Sequence, residues 1–572
     1  MYRGTNASAG IGIGKAVVIK EEEFIIRQDK AADTEAEVLR FHGALEKAGA
    51  RTRALAAELA AKAGEAEAEI LEGHLMLLAD PVLTGEIEIA IQEEEVCCEY
   101  AVETVCTRYE AVFASMDDEL MRQRAADMKD IRIRIQQVLR GISPVDMGSL
   151  PAGSIIVAKD LTPSMTAGIN PAHVAGIVTE LGGRTSHSAI LARALEIPAV
   201  VAVPGIVDLV QDGTDMVVDG NEGAVLVNPP DAEKARYEEK RQRLLRQKKE
   251  LESYIGRPAV TKDGVRVRLA ANIGKPEDVE KVLLYDGEGV GLFRTEFLFM
   301  DRASMPGEEE QFQAYKKVAS ALKGKPVIIR TLDIGGDKEI PYMGIEKDEN
   351  PFLGYRAIRL CLDRKEDIYR PQLRGLLRAS AFGNIKIMLP MVTCMDEIQE
   401  AKALIEEVKK ELDRENIPYN REIQVGIMVE TAAASLMADV FAREVDFFSI
   451  GTNDLTQYTM AVDRGNDRVS YLYSPFNPAV LRSIRHIISC AREAGIKVGM
   501  CGEAASDPMM IPLLLAFGLN EFSMSPSAIL GARRMITRSS VKELLAVADR
   551  VMGFTTAKEA EGYMREFIKC LV

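Results

Sequence analysis

His187, one of only five histidines in the sequence, stands in a setting that favours chemistry. Before it come an apolar run at 174–178, which predicts a buried strand, and then a turn with two glycines. After it come residues 189–195, whose composition is helical. This order places the ring at a helix N-terminus, where free N–H groups and the helix dipole favour an anion and disfavour a protonated imidazole. A neutral His187 that accepts phosphate is one interpretation, and a histidine that merely caps the helix is the other.

A second set of reactive side chains lies in the C-terminal half, where acidic groups directly follow short apolar runs. Glu430 and Asp454 end consecutive predicted strands, so we expect the two carboxylates to lie close enough to share a divalent cation. Hard oxygen donors in such small number are typical of Mg²⁺ or Mn²⁺, which keep water and substrate phosphate as further ligands. Spacing alone leaves open that they are two ordinary loop carboxylates.

Basic side chains and a thiol accompany these carboxylates. Arginine offers a planar fork of donors to phosphate and carboxylate oxygens, and four arginines of this half are candidates: Arg294, Arg330, Arg356 and Arg464. Arginines are common in loops, so this set does not identify an anion site by itself. Cys501 also follows an apolar run, and in isolation it is equally a buried structural thiol.

Eight short apolar runs separated mostly by helical stretches predict the element that must position these groups. The runs are Val267–Ala271, Gly289–Phe293, Val327–Arg330, Ile385–Leu389, Gln424–Val429, Phe447–Ile450, Lys497–Met500 and Glu521–Met524. Eight strands alternating with helices over roughly 280 residues predict a TIM barrel, whose chemistry sits at the C-terminal ends of the strands. Those ends carry polar or reactive groups: Arg294, Arg330, Pro390, Glu430, Asn453, Asp454, Cys501 and Ser525.

The N-terminal half has a different organisation. Residues 34–141 are rich in Ala, Glu, Leu and Arg at helical spacing, which predicts a helical bundle inserted between a strand at 10–20 and an α/β unit at 150–228. The glycines at the start of the 10–20 run lead into a strand, not a helix, so they are not a dinucleotide-binding fingerprint. A charged stretch from 231 to 254 predicts an exposed linking helix on which a domain can swing.

Composition limits the class of protein. A chain of 572 residues is long enough for about three or four domains. Its net charge of −16 argues against nucleic acid or an anionic membrane as the main partner and favours a basic one. The N-terminus lacks the apolar core of a signal peptide, no apolar run reaches the roughly 18 residues of a membrane span, and the eight cysteines form no C-x-x-C pair. We therefore expect a cytoplasmic protein with reduced thiols.

The stretch around His187 resembles the phosphohistidine signature of enzymes that use phosphoenolpyruvate (PEP), which include Enzyme I of the bacterial sugar phosphotransferase system and pyruvate phosphate dikinase. The matching residues are Gly182–Ala189, Ala192–Arg193 and Ile197–Val200. The run Asp160–Thr166 is similar to a partner loop in which the second threonine hydrogen-bonds the histidine, a role that falls to Thr166 here. The family pattern has an acidic residue at the place of Met165, so this chain departs from it there.

The resemblance to Enzyme I extends from Gly10 to beyond Ser525, nearly the whole chain. In the C-terminal half it rests on Gly291–Glu296, Arg330–Lys338, Asn350–Arg356, Ser449–Tyr458 and Gly499–Glu503. It implies PEP-binding roles for Arg294, Arg330, Asn453, Asp454 and Arg464, with Arg356 behind them, a Mg²⁺ or Mn²⁺ ion on Glu430 and Asp454, and proton donation by Cys501. In the helical segment, Ile70–Asp80 and Arg124–Asp127 resemble the subdomain that docks the phosphocarrier protein HPr.

This resemblance implies a multidomain α/β protein that ends in a (β/α)₈ barrel. We expect an α/β phosphohistidine domain at 1–32 and 142–230, a helical HPr-binding subdomain at 33–141, a linker helix at 231–257, and a PEP-binding barrel at 258–572 that also forms a homodimer. The expected reaction transfers the phosphoryl group of PEP to His187 and then to a histidine of HPr, releasing pyruvate, as the first step of the sugar phosphotransferase system.

Two other functions are weighed against this one. A dikinase or PEP synthase needs a nucleotide-binding region, and the sequence contains no Walker-type loop. A signalling relative that senses PEP without turnover is expected to lose His187 or a metal carboxylate, and this chain has both. A phosphocarrier protein is therefore the expected acceptor.

Overall fold

The computed structural model describes most of the 572 residues. The described residues are 1–19, 26–63, 65–116, 119–143, 146–184, 186–300, 302, 304–335, 340–346, 348–466 and 468–571, with the backbone alone at 61–63, 65–67, 69, 119–123 and 341. Thr185 and Gly336–Lys338 of the motifs quoted above lie outside them, as do the side chains of Glu65, Glu67 and Glu69. Among the described helices, none combines the length and the apolar character that crossing a bilayer requires.

The chain divides into two compact units, Met1–Lys248 and Lys249–Val572. The first unit contains an eight-stranded sheet in the order β1-β8-β7-β3-β4-β5-β6-β2. Its strands are β1 (Tyr2–Arg3), β2 (Thr5–Ser8), β3 (Ile11–Ile19), β4 (Ser154–Ala158), β5 (Val174–Thr179), β6 (Ala199–Val201), β7 (Asp215–Asp219) and β8 (Ala224–Val227). The four central strands β3 to β6 are parallel, and apolar clusters cover both faces of the sheet. The α/β unit is thus confirmed, with two short N-terminal strands that the sequence did not predict.

The predicted helical insert is also confirmed. Its described helices are α1 (Thr34–Ala63), α2 (Glu65–Leu78), α3 (Pro81–Glu94), α4 (Cys98–Ala114) and α5 (Glu119–Arg140). They pack around Phe41, Ile87 and Ile131, which are fully buried. The remaining helices of the first unit are α6 (Pro163–Ala167), α7 (His187–Ala194) and α8 (Ile206–Leu209).

Helix α9 (Asp231–Glu252) spans the residue at which the two units divide. Most of its side chains are polar, as the sequence predicted. Tyr237 is an exception, because it is 4% exposed and packs with Ile11, Val217 and Leu226 of the sheet. The first part of this helix is therefore fixed to the first unit by an apolar contact.

The second unit is a closed barrel of eight parallel strands, as predicted. They are β9 (Arg268–Ile273), β10 (Val290–Phe293), β11 (Val327–Arg330), β12 (Ile385–Leu389), β13 (Gln424–Val429), β14 (Phe447–Ile450), β15 (Lys497–Met500) and β16 (Glu521–Met524). The helices are α10 (Val279–Leu284), α11 (Glu308–Ala321), α12 (Ile358–Asp363), α13 (Arg370–Ala379), α14 (Met395–Glu415), α15 (Ala432–Leu436), α16 (Ala438–Phe441), α17 (Thr452–Met460), α18 (Pro478–Ala494), α19 (Met510–Phe517), α20 (Ile529–Arg538), α21 (Val541–Met552) and α22 (Ala557–Leu571). One apolar core between strands and helices supports the barrel, so its C-terminal rim is a rigid frame for side chains.

Candidate active site

His187 is the first residue of α7, the position that the sequence predicted. Ser186 caps the helix, since its hydroxyl accepts a hydrogen bond from the N–H of Ala189 at 3.4 Å. Gly182 has a φ of 100°, a conformation that glycine adopts without strain, and it turns the chain from β5 toward the helix. The imidazole is partly exposed and borders a cavity of about 480 Å³. A reactant can therefore reach the ring.

An aspartate of α5 that sequence reasoning did not connect with His187 lies beside one of its ring nitrogens. The Nδ1 atom of His187 lies 3.9 Å from Oδ1 of Asp127, an ion-pair distance longer than a hydrogen bond. Nδ1 is thus the ring nitrogen that faces this carboxylate.

The predicted hydrogen bond from Thr166 to His187 is wrong for this structure. The Thr166 hydroxyl is buried and bonds the carbonyl oxygens of Thr162 and Pro163, at 3.1 and 3.0 Å. Thr166 lies near the end of the short helix α6, where a threonine hydroxyl readily bonds the carbonyl three or four residues earlier. Met165, at the place of the family's acidic residue, is partly buried against the apolar cluster below the sheet.

A buried polar cluster extends from Asp127 into the helical insert. His74 is fully buried, with Nε2 3.1 Å from Asp127 and Nδ1 3.4 Å from Asp130. Asp130 also accepts a 2.6 Å hydrogen bond from the hydroxyl of Ser164, and Arg134 lies 3.8 Å from it. The motif match had placed His74 in a run expected to dock a partner, and its burial excludes it from a docking surface.

The barrel has a cavity of about 840 Å³ at the C-terminal ends of its strands. The eight side chains of this half to which the family resemblance gave a role all line it: Arg294, Arg330, Arg356, Glu430, Asn453, Asp454, Arg464 and Cys501. Six of them directly follow or end a strand or lie in the first turn of the next helix, which is why strand prediction was sufficient to find them. The closed barrel brings together residues separated by more than 200 positions.

Two acidic residues of this cavity were quoted within motifs but given no role. Arg330 contacts Glu296 at 2.5 Å and Asp333 at 2.8 Å, and the other oxygen of Asp333 lies 2.7 Å from Arg356. All four side chains are buried or nearly so. The sequence contained one sign of these ion pairs, since Asp333 follows Arg330 by three residues. Both lie where a strand passes into a loop, however, and sequence does not fix the direction of loop side chains. These carboxylates hold two of the arginines of the cavity in place.

The residues present fit a divalent cation. Glu430 is 1% exposed, and burial together with the charges of Asp454 and Asp333 raises its pKa well above the ordinary value. One oxygen of Glu430 accepts a 2.7 Å hydrogen bond from the N–H of Met391, while Oδ1 of Asp454 is buried without a hydrogen-bond partner among the described residues, with Arg464 at 3.5 Å. Two crowded carboxylates with little hydrogen bonding are stabilised when a cation joins them.

Cys501 follows β15 and is 4% exposed, with its sulfur 3.8 Å from the carbonyl oxygen of Ile450. Burial raises the pKa of its thiol to about 11, an effect that a hydrogen bond with Ser449 only partly offsets. The side chain of Asn272 donates to the Cys501 carbonyl at 2.8 Å and fixes the backbone there. The thiol is therefore protonated at neutral pH, and Cys501 is one of the residues that line the cavity.

Comparison with known proteins agrees with this arrangement. The sequence matches three models of PEP-utilising enzymes: the N-terminal model over residues 3–124, the mobile domain over 150–223 and the PEP-binding domain over 248–541. A phosphoenolpyruvate-protein phosphotransferase of Bacillus sp. (strain S) is 48% identical over 98% of this chain and 97% of its own length. The protein of that name from Bacillus subtilis (strain 168) is 46% identical over 99% of both chains.

A solution structure of Enzyme I (nEIt) is 38% identical and covers 43% of this chain and 99% of its own, with a TM-score of 0.38.

Proposed function

We propose that this chain, which belongs to the PEP-utilising enzymes and among them to the phosphoenolpyruvate-protein phosphotransferases, moves the phosphoryl group of PEP to His187 and then to a histidine of HPr. The observation that carries the proposal is the barrel cavity, where arginines, two carboxylates and a protonated thiol converge. PEP presents a phosphate, a carboxylate and, after transfer, an enolate carbon, and this set of side chains provides a partner for each.

The arginines bind the anionic groups of PEP. Arg294, Arg330 and Arg464 supply fork-shaped donors, and Arg356, held by Asp333, adds a further guanidinium. Asn453 adds an amide on the first turn of α17. Because Glu296 and Asp333 fix the arginines before substrate arrives, little reorganisation is needed when charge moves during transfer.

The metal site belongs to the same cavity. Glu430 and Asp454 would hold Mg²⁺ or Mn²⁺. When bound, the ion offsets charge on the transferring phosphoryl group and helps to orient it. The family membership supports metal dependence in general, and the choice of Mg²⁺ rests on the two hard carboxylate donors.

His187 attacks the phosphorus through the lone pair of Nε2. The N–P bond forms as the bond between phosphorus and the enol oxygen breaks, and enolpyruvate leaves with that electron pair. Cys501 then protonates the methylene carbon, which converts the enol form to pyruvate. Since His187 and the cavity belong to different units, the shuttle requires a domain swing, for which α9 is the proposed link.

The second half-reaction uses the helical insert as the docking surface for HPr. Its acidic side chains, which include Glu72, Glu86, Glu88, Glu93 and Glu94, suit a basic partner. We extend the proposal to the first step of the sugar phosphotransferase system in the cytoplasm, and to a homodimer formed through the barrel. We also propose the domain boundaries expected above for the phosphohistidine domain, the HPr-binding subdomain, the linker and the barrel.

A turnover measurement with the full chain tests this function. With PEP and Mg²⁺ but no HPr, pyruvate should appear in a burst of about one molecule per chain, because phospho-His187 has no acceptor. Adding HPr should convert the burst into continuous turnover. Continuous pyruvate formation without any protein acceptor would contradict the proposal, and so would a burst of full size in His187→Ala.

A further inference from the structure

The buried cluster beside His187 belongs to the helical insert, yet it reaches the reacting ring. Asp127 lies on α5, and one of its oxygens, Oδ1, faces two imidazoles: His74 Nε2 at 3.1 Å and His187 Nδ1 at 3.9 Å. The other oxygen lies 3.7 Å from Arg124. The carboxylate thus bridges a fully buried histidine and the partly exposed one that takes phosphate.

We propose that Asp127 is a positioning residue for phosphoryl exchange at His187: its carboxylate, anchored by His74, keeps the proton on Nδ1 and so presents Nε2 to the phosphorus. This inference rests on the function proposed above. It assigns to the helical insert a part in the chemistry of the phosphohistidine, in addition to docking.

The anchoring of Asp127 gives it a fixed direction. Its side chain is 9% exposed, and His74, which holds it, is in turn held by Asp130. Asp130 is tied to the first turn of α6 by two hydrogen bonds from Ser164, at 2.6 and 3.2 Å. A carboxylate that is oriented by a third group can orient a reacting histidine, as in other nucleophile constellations.

The charge balance of the reaction explains why a carboxylate is useful at this place. When Nε2 forms a bond to phosphorus while Nδ1 keeps its proton, the ring becomes cationic. A carboxylate that accepts the Nδ1–H stabilises that state. When the histidine of HPr attacks, its nitrogen forms the new N–P bond, the Nε2–P bond breaks, and the electron pair returns to Nε2. No proton has to move on the His187 ring in either direction.

The distance of 3.9 Å is longer than a hydrogen bond, but it is compatible with this role. Catalytic hydrogen bonds are often long without substrate and shorten in the reacting complex.

Long-range ¹H–¹⁵N spectra of the full chain with ¹⁵N-labelled histidine test the proposal, since only five histidines have to be assigned. His187 should carry its proton on Nδ1 in the wild type and should shift toward the Nε2–H tautomer in Asp127→Asn. Rapid-quench transfer from phospho-His187 to HPr should slow by about 10- to 100-fold in that variant. Asp127→Glu should recover part of the Nδ1–H tautomer of His187 and part of the transfer rate.

Glu46→Gln removes one charge from an exposed position of α1 and is the matched control, expected to behave as wild type. An Nε2–H tautomer in wild-type His187 overturns the proposal even if Asp127→Asn does not fold. If Asp127→Asn slows transfer but leaves the His187 tautomer unchanged, the proposal is also overturned, because the slower transfer would then be a structural effect. It is overturned as well if Asp127→Asn changes the tautomer but transfers phosphate at the wild-type rate. If wild-type protein is not phosphorylated by PEP at all, the proposed function fails instead.

Discussion

Asp333→Asn tests how strongly the carboxylates of the barrel cavity hold its arginines. Asp333 is 5% exposed and contacts Arg330 and Arg356 at 2.8 and 2.7 Å. After the change Arg330 keeps Glu296, but Arg356 loses its ion-pair partner and keeps the hydroxyl of Tyr458 at 3.5 Å and the weaker attraction of Asp454, neither of which replaces the lost carboxylate. The cost is therefore that of one uncompensated buried charge.

Two estimates of that cost agree. Removing one partner of a buried ion pair costs about 3–5 kcal/mol. Coulomb's law gives about 4 kcal/mol for unit charges about 4 Å apart at an effective dielectric constant of about 20. We expect the barrel of Asp333→Asn to lose roughly that much free energy of unfolding.

The assay is urea unfolding followed by far-UV circular dichroism, because the chain has no tryptophan. Hydrogen exchange of β11 assigns the change to the barrel and not to the first unit. Asp367→Asn is the control, since Asp367 pairs with Arg364 on the surface and should cost less than about 1 kcal/mol.

The double variant Asp333→Asn/Arg356→Gln removes the uncompensated charge and should recover about half of the loss or more. Additive effects of the two changes would refute the reasoning, as would a single-variant loss no larger than that of the control.

Three more outcomes concern the same cavity. Cys501→Ala should bind PEP normally but form pyruvate about 10²–10⁴-fold more slowly, with non-stereospecific entry of solvent deuterium into the methyl group; unchanged turnover and stereochemistry would make the thiol structural. Burial raises the pKa of the Cys501 thiol to about 11, so at pH 8 only about one Cys501 thiol in 10³ is ionised in metal-free protein. Iodoacetamide should therefore label the exposed Cys394 much faster than Cys501. Equal labelling rates at the two cysteines would contradict this. The raised pKa of Glu430 means that a proton competes with the cation for this carboxylate. The affinity for Mg²⁺, measured by calorimetry, should therefore rise from pH 6 to pH 9. An affinity that does not depend on pH would argue against Glu430 as a ligand.

Local pattern was enough to predict the barrel. Apolar runs of four to six residues that alternate with helical stretches favour buried strands, and six of the eight strands have the predicted bounds, Lys497–Met500 among them. The first run begins one residue late, because the N–H of Val267 donates to Ala259 instead of joining the barrel. In the first unit β6 ends at Val201, since Ala202 has a φ of 56° and leaves the sheet.

Contacts between side chains distant in sequence could not be predicted in the same way. The pairing of Asp127 with His74 and His187 depends on how α5 packs beside α2 and the start of α7, which neither periodicity nor motif spacing determines. The error at Thr166 is of the same kind. Its hydroxyl had a backbone acceptor one turn away, and that local bond formed instead of the predicted long-range one.

The central claim is that His187 accepts the phosphoryl group of PEP, and the site of labelling tests it most directly. Full-length protein incubated with ³²P-labelled PEP and Mg²⁺ should carry the label on His187 in a form that acid releases and base does not, because a phosphoramidate hydrolyses when its nitrogen is protonated. His173→Gln, a change in the same α/β unit, should be labelled as the wild type is. Label that persists in His187→Ala, or that maps to another residue, would contradict the account.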